Sequence, residues 1–202
     1  MSGIAMRTLI PFAFLAAAAL LAQPEDPHAA DRQQLLKIFH EVETSINSQS
    51  LERMAQQMDP NVVVVWANAE VSRGPAEVLA YYDRMVKGKD RILTKYTTSA
   101  KLHGHARFLG NGDVAIADGT MEDEYFPIIR GPFRLSAKWT TTAAKINGEW
   151  KIVALHLSAN VFNNVLLDEA KAALLYAVLG GLVAGLVFCG LVVWLVRRRR
   201  TA

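Results

Sequence analysis

The first part of the central region carries apolar residues at helical spacing. From Asp31 onward they recur every three or four positions, at Leu35, Ile38, Val42 and Ile46. This spacing predicts an amphipathic first helix, and Asp31 has the residue type and position of its N-cap.

The next patterns predict a short helix, a strand and a third helix. Ser50 is a candidate cap for the short helix, which Asp59-Pro60-Asn61 is expected to end. The β-branched run at 62–66 predicts a strand buried on both faces. Gly74 and Pro75 then open a third helix, which Gly88 is expected to stop.

Four longer segments follow, at about 93–109, 113–126, 131–146 and 149–161. The turn signals at 110–113 and Asn147-Gly148 predict hairpins, and a looser connection spans 127–132. The whole pattern predicts an α+β domain in which helices pack on one face of a bent antiparallel sheet.

Two uninterrupted apolar runs flank this domain. The 25 residues of 172–196 reach about 37 Å as a helix, which exceeds the ~30 Å hydrocarbon core of a bilayer. The shorter run at 9–22, behind Arg7, has the features of a secretory signal. The predicted organisation is a signal peptide or signal anchor at 1–22, a linker at 23–30, the domain at 31–162, a juxtamembrane linker at 163–171, a transmembrane helix at 172–196 and a basic tail at 197–202.

The charges are distributed unevenly along the chain. Residues 24–169 contain 16 Lys and Arg and all 19 Asp and Glu, so this region is mildly acidic. The four arginines at 197–200 predict a cytoplasmic C-terminus, with the domain in the periplasm or exterior and the chain in the cytoplasmic (inner) membrane. A nucleic-acid partner is not expected, because no basic patch remains outside the membrane flank. Cys189, the only cysteine, lies within the apolar run.

The central region resembles a known superfamily. The motifs that carry the resemblance are the 51–62 passage, Arg73-Gly74-Pro75 at the third helix, and above all the closing segment 147–158, with Gly-x-Trp-x-Ile-Val before His156 and Ser158. Over residues 31–162 they resemble the nuclear transport factor 2-like superfamily, in its SnoaL-like form. The resemblance implies a cone-shaped domain, often dimeric, whose curved sheet surrounds a pocket. Members include isomerases, hydratases, cyclases and non-catalytic modules, so the fold does not settle the function.

The isomerase branch of this superfamily implies a tyrosine, an aspartate base and a strand acid. The corresponding positions fall near Val42, Trp66 and Thr140 or Thr141. None of these residues can supply that chemistry, so ketosteroid-isomerase activity is not expected.

The predicted pocket residues come mainly from strand alternation. On the last strand, Trp150, Ile152 and His156 share one face, which makes His156 a candidate hydrogen-bonding group or base. An ordinary structural histidine is the alternative. The predicted ligand-binding set is Trp66, Tyr82, Lys138, Thr140 and His156.

Two catalytic candidates and one metal candidate remain. Glu122 and His156 are the candidate acid/base couple if both face the cavity, although Glu122 would be only solubilising if it faces water. His103 and His105 point the same way on a regular strand, but no third ligand is placed by the sequence. No metal site and no cofactor are therefore predicted.

Small side chains recur every four residues in the apolar run. Such a stripe allows two helices to approach closely, and with the resemblance it predicts a homodimer. The stripe consists of Ala173, Ala177, Gly181, Gly185 and Cys189. The leading functional hypothesis is a membrane-tethered module for small-molecule binding, dimerisation or both. The alternatives are an isomerase- or hydratase-type enzyme on a small organic substrate, and an accessory subunit of a membrane complex.

Overall fold

The computed structural model describes residues 26–200, as a helical half followed by a large sheet and a long terminal helix. The predicted signal segment at 1–22 lies outside the described residues. The elements are α1 (Ala29–Asn47), α2 (Glu52–Gln56), β1 (Met58–Val65), β2 (Val71–Arg73), α3 (Gly74–Tyr82), β3 (Leu93–Leu102), β4 (Arg107–Leu109), β5 (Val114–Pro127), β6 (Phe133–Ile146), β7 (Glu149–Ala159) and α4 (Val165–Arg200). The α+β class predicted from the sequence is confirmed.

The seven strands form one curved sheet with the order β2-β1-β7-β6-β5-β3, and β4 pairs with β5. All pairs are antiparallel except β1 with β7. The segment predicted as one strand at 93–109 is divided by a bend at 103–106 into β3 and β4. The two predicted hairpin turns are present, and Asn147 and Gly148 both adopt the positive φ that a tight hairpin requires.

Two local predictions are wrong. Asp59-Pro60-Asn61 does not end a helix and turn the chain but lies inside β1. In addition, β1 is not buried on both faces: Val62 and Val64 are fully buried, whereas Val63 is 39% exposed. The alternation arises because α3 covers only one face of this strand, which packs into the main core with Leu51, Met54 and Val78.

The first helix begins at Ala29, so Asp31 lies within its first turn rather than at the N-cap. Its carboxylate instead accepts hydrogen bonds from Lys145 Nζ at 2.7 Å and Trp150 Nε1 at 2.8 Å. These bonds tie the start of α1 to the end of β6 and the start of β7. The Lys145 bond, followed by the Trp150 bond, lowers the pKa of Asp31.

The other end of α1 is held against the open edge of β3. The Asn47 side chain donates to the Thr98 carbonyl oxygen and accepts from the Thr98 amide, both at 2.9 Å. Glu43 Oε1 accepts from the Ala100 amide, also at 2.9 Å. These side chains replace a neighbouring strand, because edge amides and carbonyls need partners.

The long helix α4 begins at Val165, so most of the predicted juxtamembrane linker is helical. Among the described residues it is the one helix long and apolar enough to cross a membrane. The residues of the small-residue stripe are all exposed in the single chain. Association through that stripe stays a prediction.

The sheet also contains one position where only glycine fits. A Cβ on Gly119 would lie 1.9 Å from the Lys101 carbonyl oxygen and 2.6 Å from the Trp139 ring. The Trp139 indole occupies the space above Gly119, its cross-strand partner, and donates to the Thr120 carbonyl oxygen at 3.1 Å.

We therefore expect Gly119→Ala to lower the free energy of unfolding by about 2 kcal/mol or more, because neither the carbonyl nor the packed indole can move away freely. Gly131→Ala is the matched control, since an added Cβ there meets no atom within 4 Å. Urea denaturation of the two variants tests this. Equal stability of both would contradict the close packing at Gly119.

Candidate functional site

A mainly apolar cavity of about 150 Å³ lies between α1 and the inner face of the sheet. Leu36, Gly104 and His105 are the exposed members of its lining and mark its rim. Its walls include Phe39, Val42, Ile46, Trp66, Tyr96, Thr98, Ala100, Ala115, Ala117, Met121, Trp139, Thr141, Ala143, Ile152, Leu155 and Leu157. Four alanines on the strands keep the space open, because larger side chains there would fill it.

The apolar face of β6 turns toward this cavity. Trp139, Thr141 and Ala143 contribute to the lining, whereas Lys138 and Thr140 are exposed on the opposite, outer face. The expectation that Lys138 and Thr140 bind a ligand in the cavity is therefore corrected. The physical reason is that the helices cover the apolar set and leave the polar set in water.

A β-bulge changes which residues of β7 face inward. Thr142 pairs with Ala154 while the next residue, Ala143, pairs with Ile152, so Val153 is an extra residue in β7. One extra residue reverses the side-chain alternation beyond it. Trp150 and Ile152 face inward before the bulge, and Leu155 and Leu157 face inward after it.

His156 is therefore exposed on the outer face of the sheet, contrary to the strict alternation used in its prediction. Glu122 is also exposed on that face and accepts a hydrogen bond from Ser136 Oγ at 2.9 Å. On β6, Glu122 pairs with position 136 and His156 with position 140. Four residues of strand correspond to roughly 14 Å, and β6 lies between the two side chains, so they cannot act as a couple.

The other two predicted ligand-binding residues have different outcomes. Trp66 lines the cavity, stacks on Tyr81 with ring centroids 4.2 Å apart, and donates to Ser72 Oγ at 2.9 Å. Tyr82 does not line the cavity, because its side chain points from the end of α3 into the main core. The template positions Val42, Trp66 and Thr141 do meet around the cavity, but their side chains cannot perform the isomerase chemistry.

The bend after β3 separates the two candidate metal-binding histidines. His103 Nδ1 lies 3.2 Å from Asp118 Oδ2 on the exposed surface, whereas His105 lies at the cavity rim. Within residues 26–200, no cluster of three or more His, Cys, Asp or Glu side chains could hold a metal ion.

Asp123, the most unusual polar group of the domain, was not predicted from the sequence. Its side chain is 1% exposed, and its two carboxyl oxygens accept hydrogen bonds from Tyr96 Oη at 3.0 Å and Tyr125 Oη at 3.2 Å. The buried Thr98 hydroxyl lies close enough to the same carboxyl to lower its pKa. The available signal was strand alternation on β5, which places the Asp123 carboxyl on the same face as Met121 and Tyr125.

Burial raises the pKa of Asp123 to about 6, although the hydrogen bonds from Thr98, Tyr96 and Tyr125 act in the opposite direction. Burial also raises the pKa of Tyr96 well above its ordinary value, and raises that of Tyr125. The two tyrosine rings stack with centroids 5.1 Å apart. Tyr96 and Thr98 line the cavity, so this cluster places a titratable carboxyl directly behind the cavity wall.

No family model matches the sequence, and no curated protein matches it. Solved structures do match. A hexachlorocyclohexane dehydrochlorinase LinA-type3 from Novosphingobium barchaimii has 14% identity and a TM-score of 0.58, over 67% of this chain and 90% of that chain. A nuclear transport factor 2-like superfamily protein from Salmonella enterica has 18% identity and a TM-score of 0.52, over 65% and 92%.

The domain has the nuclear transport factor 2-like fold. A putative scytalone dehydratase from Novosphingobium aromaticivorans also shares it, with 11% identity and a TM-score of 0.55, over 65% of this chain and 85% of that chain. At these identities the likeness concerns the fold alone. The structural resemblance predicted from the closing strand is thereby confirmed for the domain.

The buried carboxyl gives a pH-dependent stability that can be measured. The pKa of Asp123 is about 6 in the folded protein and 3.8 ordinarily, so folding favours the protonated acid. The contribution of Asp123 to stability is therefore highest below about pH 4 and is lost as the pH rises through 6, by about 2 kcal/mol between pH 4 and pH 8. Asp123→Asn removes this component, because the amide does not titrate.

Urea denaturation of the full chain in a mild detergent at several pH values measures the difference in the free energy of unfolding between the wild type and the variant. Glu122→Gln is the matched control, since that acid is adjacent in sequence but exposed. If Asp123→Asn and Glu122→Gln show the same pH dependence, the Asp123 carboxyl does not titrate as described.

Proposed function

We propose that the domain binds a small, mainly apolar organic molecule in the cavity between α1 and the sheet. The single observation that carries the proposal is the unfilled apolar cavity of about 150 Å³. Protein interiors are normally close-packed, so an apolar space of this size between a helix and a sheet leaves its lining side chains without packing partners. A ligand that occupies the cavity would recover the missing contacts.

The size of the cavity indicates a ligand built around one ring. A dry apolar cavity of about 150 Å³ accommodates a molecule of benzene size. One structural neighbour is a hexachlorocyclohexane dehydrochlorinase, whose named substrate is also a small ring compound. This supports the use of such a cavity for small molecules.

The separation of Glu122 from His156 favours binding over catalysis. The enzymatic alternative depended on those two side chains as an acid/base couple, and they lie on the outer face away from the cavity. The proposal therefore concerns binding and names no reaction.

Two adjacent threonines allow a matched test of the cavity. Thr141→Leu places a larger side chain in the cavity, whereas Thr140→Leu places the same side chain on the exposed outer face. We expect Thr141→Leu to abolish binding of a one-ring probe such as phenol, and Thr140→Leu to leave it within about twofold of wild type.

Isothermal titration calorimetry of the full chain in detergent measures this binding, and circular dichroism checks that both variants are folded. Thr141 Oγ1 donates to the Ala154 carbonyl oxygen at 3.0 Å, so Ala117→Leu serves as a second filling variant that removes no hydrogen bond. Undiminished binding in both filling variants would place the probe elsewhere.

We further propose that α4 anchors the domain in a membrane, with the domain outside and the arginine-flanked end in the cytoplasm. Support comes from the helix length, the uninterrupted apolar run at 172–196 and the four arginines at its end. The charge asymmetry across the helix favours this orientation over its reverse. Homodimerisation through the small-residue stripe is a separate prediction.

The single native cysteine makes the orientation testable. In a Cys189→Ser background, we expect Thr140→Cys on the exposed face of the domain to react with a membrane-impermeant maleimide in intact cells. A Thr201→Cys variant, beyond the arginines, should react only after the cells are permeabilised. The reverse labelling pattern would place the domain in the cytoplasm.

A further inference from the structure

Large apolar side chains are exposed together at one end of the sheet. They come from three segments: the residue before β3, the connection between β5 and β6, and the residues that follow β7. Their exposed fractions range from 51% at Ile128 to 95% at Ile129. The set, here called the end patch, consists of Ile92, Ile128, Ile129, Val161 and Phe162.

The strand pairing places the three segments at the same end. Leu93, at the start of β3, pairs with Pro127 at the end of β5, and the Ile128 amide donates to the Ile92 carbonyl oxygen at 3.1 Å. The last residue of β7, Ala159, pairs with position 137 near the start of β6. The residues after Ala159 therefore continue toward the connection between β5 and β6.

The long helix α4 begins at this same end. Arg130 Nη2, next to Ile129, lies 2.6 Å from Glu169 Oε1 in the second turn of the helix. Glu169 precedes the apolar run at 172–196 by three residues, which is about 4.5 Å of helix rise. The polar interfacial layer of a bilayer is roughly 5–8 Å thick on each side. If α4 spans a membrane, the end patch therefore lies at the level of the lipid headgroups.

Contacts within the protein hold two of these segments in place. Asn160 Oδ1 accepts hydrogen bonds from the Phe162 amide at 3.0 Å and the Asn163 amide at 3.2 Å. The Arg130 guanidinium lies 4.3 Å from the centre of the Phe133 ring, in addition to its pairing with Glu169. Because the segments are already held, little conformational freedom is lost when their apolar side chains contact a partner.

We propose that the end patch inserts into the interfacial layer of the membrane that α4 spans, so that the domain lies directly on the bilayer. This inference rests on the proposed membrane anchor, since a lipid surface at this level requires α4 to cross the bilayer. It adds a second membrane contact and fixes the direction in which the domain points.

A lipid surface fits the composition of the end patch. Soluble domains rarely expose several large apolar side chains side by side, and insertion into the interface removes them from water. The spanning helix also keeps the patch close to the bilayer, which raises the effective concentration for this second contact.

The charges near the end patch indicate that apolar insertion, rather than attraction to anionic lipid, drives the contact. Lys89 and Arg91 are exposed beside Ile92 and can extend toward lipid phosphates. Asp90 and Asp168 are also exposed and offset part of this positive charge. We therefore expect zwitterionic lipid to suffice.

This orientation keeps the mouth of the cavity away from the bilayer. β3 begins beside the end patch at Leu93 and ends at Leu102, and the rim residues Gly104 and His105 follow it. A strand of this length spans about 30 Å. A ligand of the cavity would therefore enter from the aqueous side.

Fluorescent probes on single cysteines measure the insertion. In a Cys189→Ser background, Ile129→Cys and Phe162→Cys are each labelled with an environment-sensitive fluorophore, and the full chain is reconstituted into phosphatidylcholine vesicles. Lipids with a nitroxide near the headgroup end of the acyl chain serve as quenchers. We expect them to remove at least about half of the fluorescence at both positions, because both probes would lie in the interfacial layer.

Ile146→Cys is the matched control. Ile146 is an isoleucine that is 37% exposed at the opposite end of β6, about 40 Å of strand from Phe133. Its probe should lose less than about a tenth of its fluorescence, because the domain points away from the bilayer at that end.

A polar double substitution separates insertion from mere closeness to α4. Ile128→Ser with Ile129→Ser removes two members of the end patch without changing the segment that carries Phe162. We expect the quenching of the Phe162→Cys probe to fall at least about twofold, because less apolar surface is available for insertion. Ile146→Ser should leave that quenching unchanged. Circular dichroism verifies that each variant is folded.

The native Cys189, labelled in the otherwise unchanged chain, separates this inference from the membrane anchor. If lipids with a nitroxide deep in the acyl chain quench the Cys189 probe, but the Ile129→Cys and Phe162→Cys probes are not quenched, the inserted patch is wrong and the anchor stands. If the Cys189 probe is not quenched either, both proposals fail.

Two further outcomes would overturn the inserted patch alone. Quenching at Phe162→Cys that survives the double serine substitution would show closeness to α4 without insertion. Probes that are shielded from water but not quenched by the nitroxide lipids would show that a second copy of the chain covers the end patch.

Discussion

The position of α1 across the inner face of the sheet is the constraint on which the other features depend. Polar contacts hold the helix at both ends: Asp31 bonds to Lys145 and Trp150, and Asn47 bonds to the backbone of Thr98. Between these ends the helix presents apolar side chains to small residues on the strands. The contacts at its two ends therefore set the distance between α1 and the sheet. The side chains between those ends do not fill the space completely, and the cavity results.

The same anchoring explains the unusual acid behind the cavity wall. The Asn47 bonds pair the amide and the carbonyl of Thr98 at the open edge of β3, next to the end of α1. Thr98 and Tyr96 on this strand face Asp123 and Tyr125 on β5, so the carboxyl is removed from water but not from hydrogen bonds. The raised pKa of Asp123 reduces stability at neutral pH. A ligand that binds in the cavity of the folded protein would stabilise the fold by mass action.

The outer face of the sheet has a different character. The solvated polar surface on this face is formed by Lys138, Thr140, Glu122 and His156. The helices, α1 in particular, cover the other face. The chemistry of this domain is therefore concentrated inside, in a few groups surrounded by apolar walls. The long helix α4, which contacts the domain through the Arg130–Glu169 ion pair at 2.6 Å, adds the proposed membrane anchor without contributing to the cavity.

Local patterns in the sequence determined most of the fold. Helical spacing, the Gly74-Pro75 and Asn147-Gly148 signals and the apolar run at 172–196 each act over a few residues, so the helices, hairpins and candidate span could be predicted directly. The site could not, because it depends on which face of each strand the helices cover. The bulge at Val153 places His156 on the outer face of the sheet. Before the bulge, Trp150 and Ile152 share the inner face, as the alternation predicts. Asp123 is a buried acid only because Tyr96, Thr98 and Tyr125 surround it in the folded protein. Tyr96 and Thr98 lie on a different strand, more than 20 residues away in the sequence. Burial and strand register are properties of the assembled sheet, and the tertiary structure alone decided them.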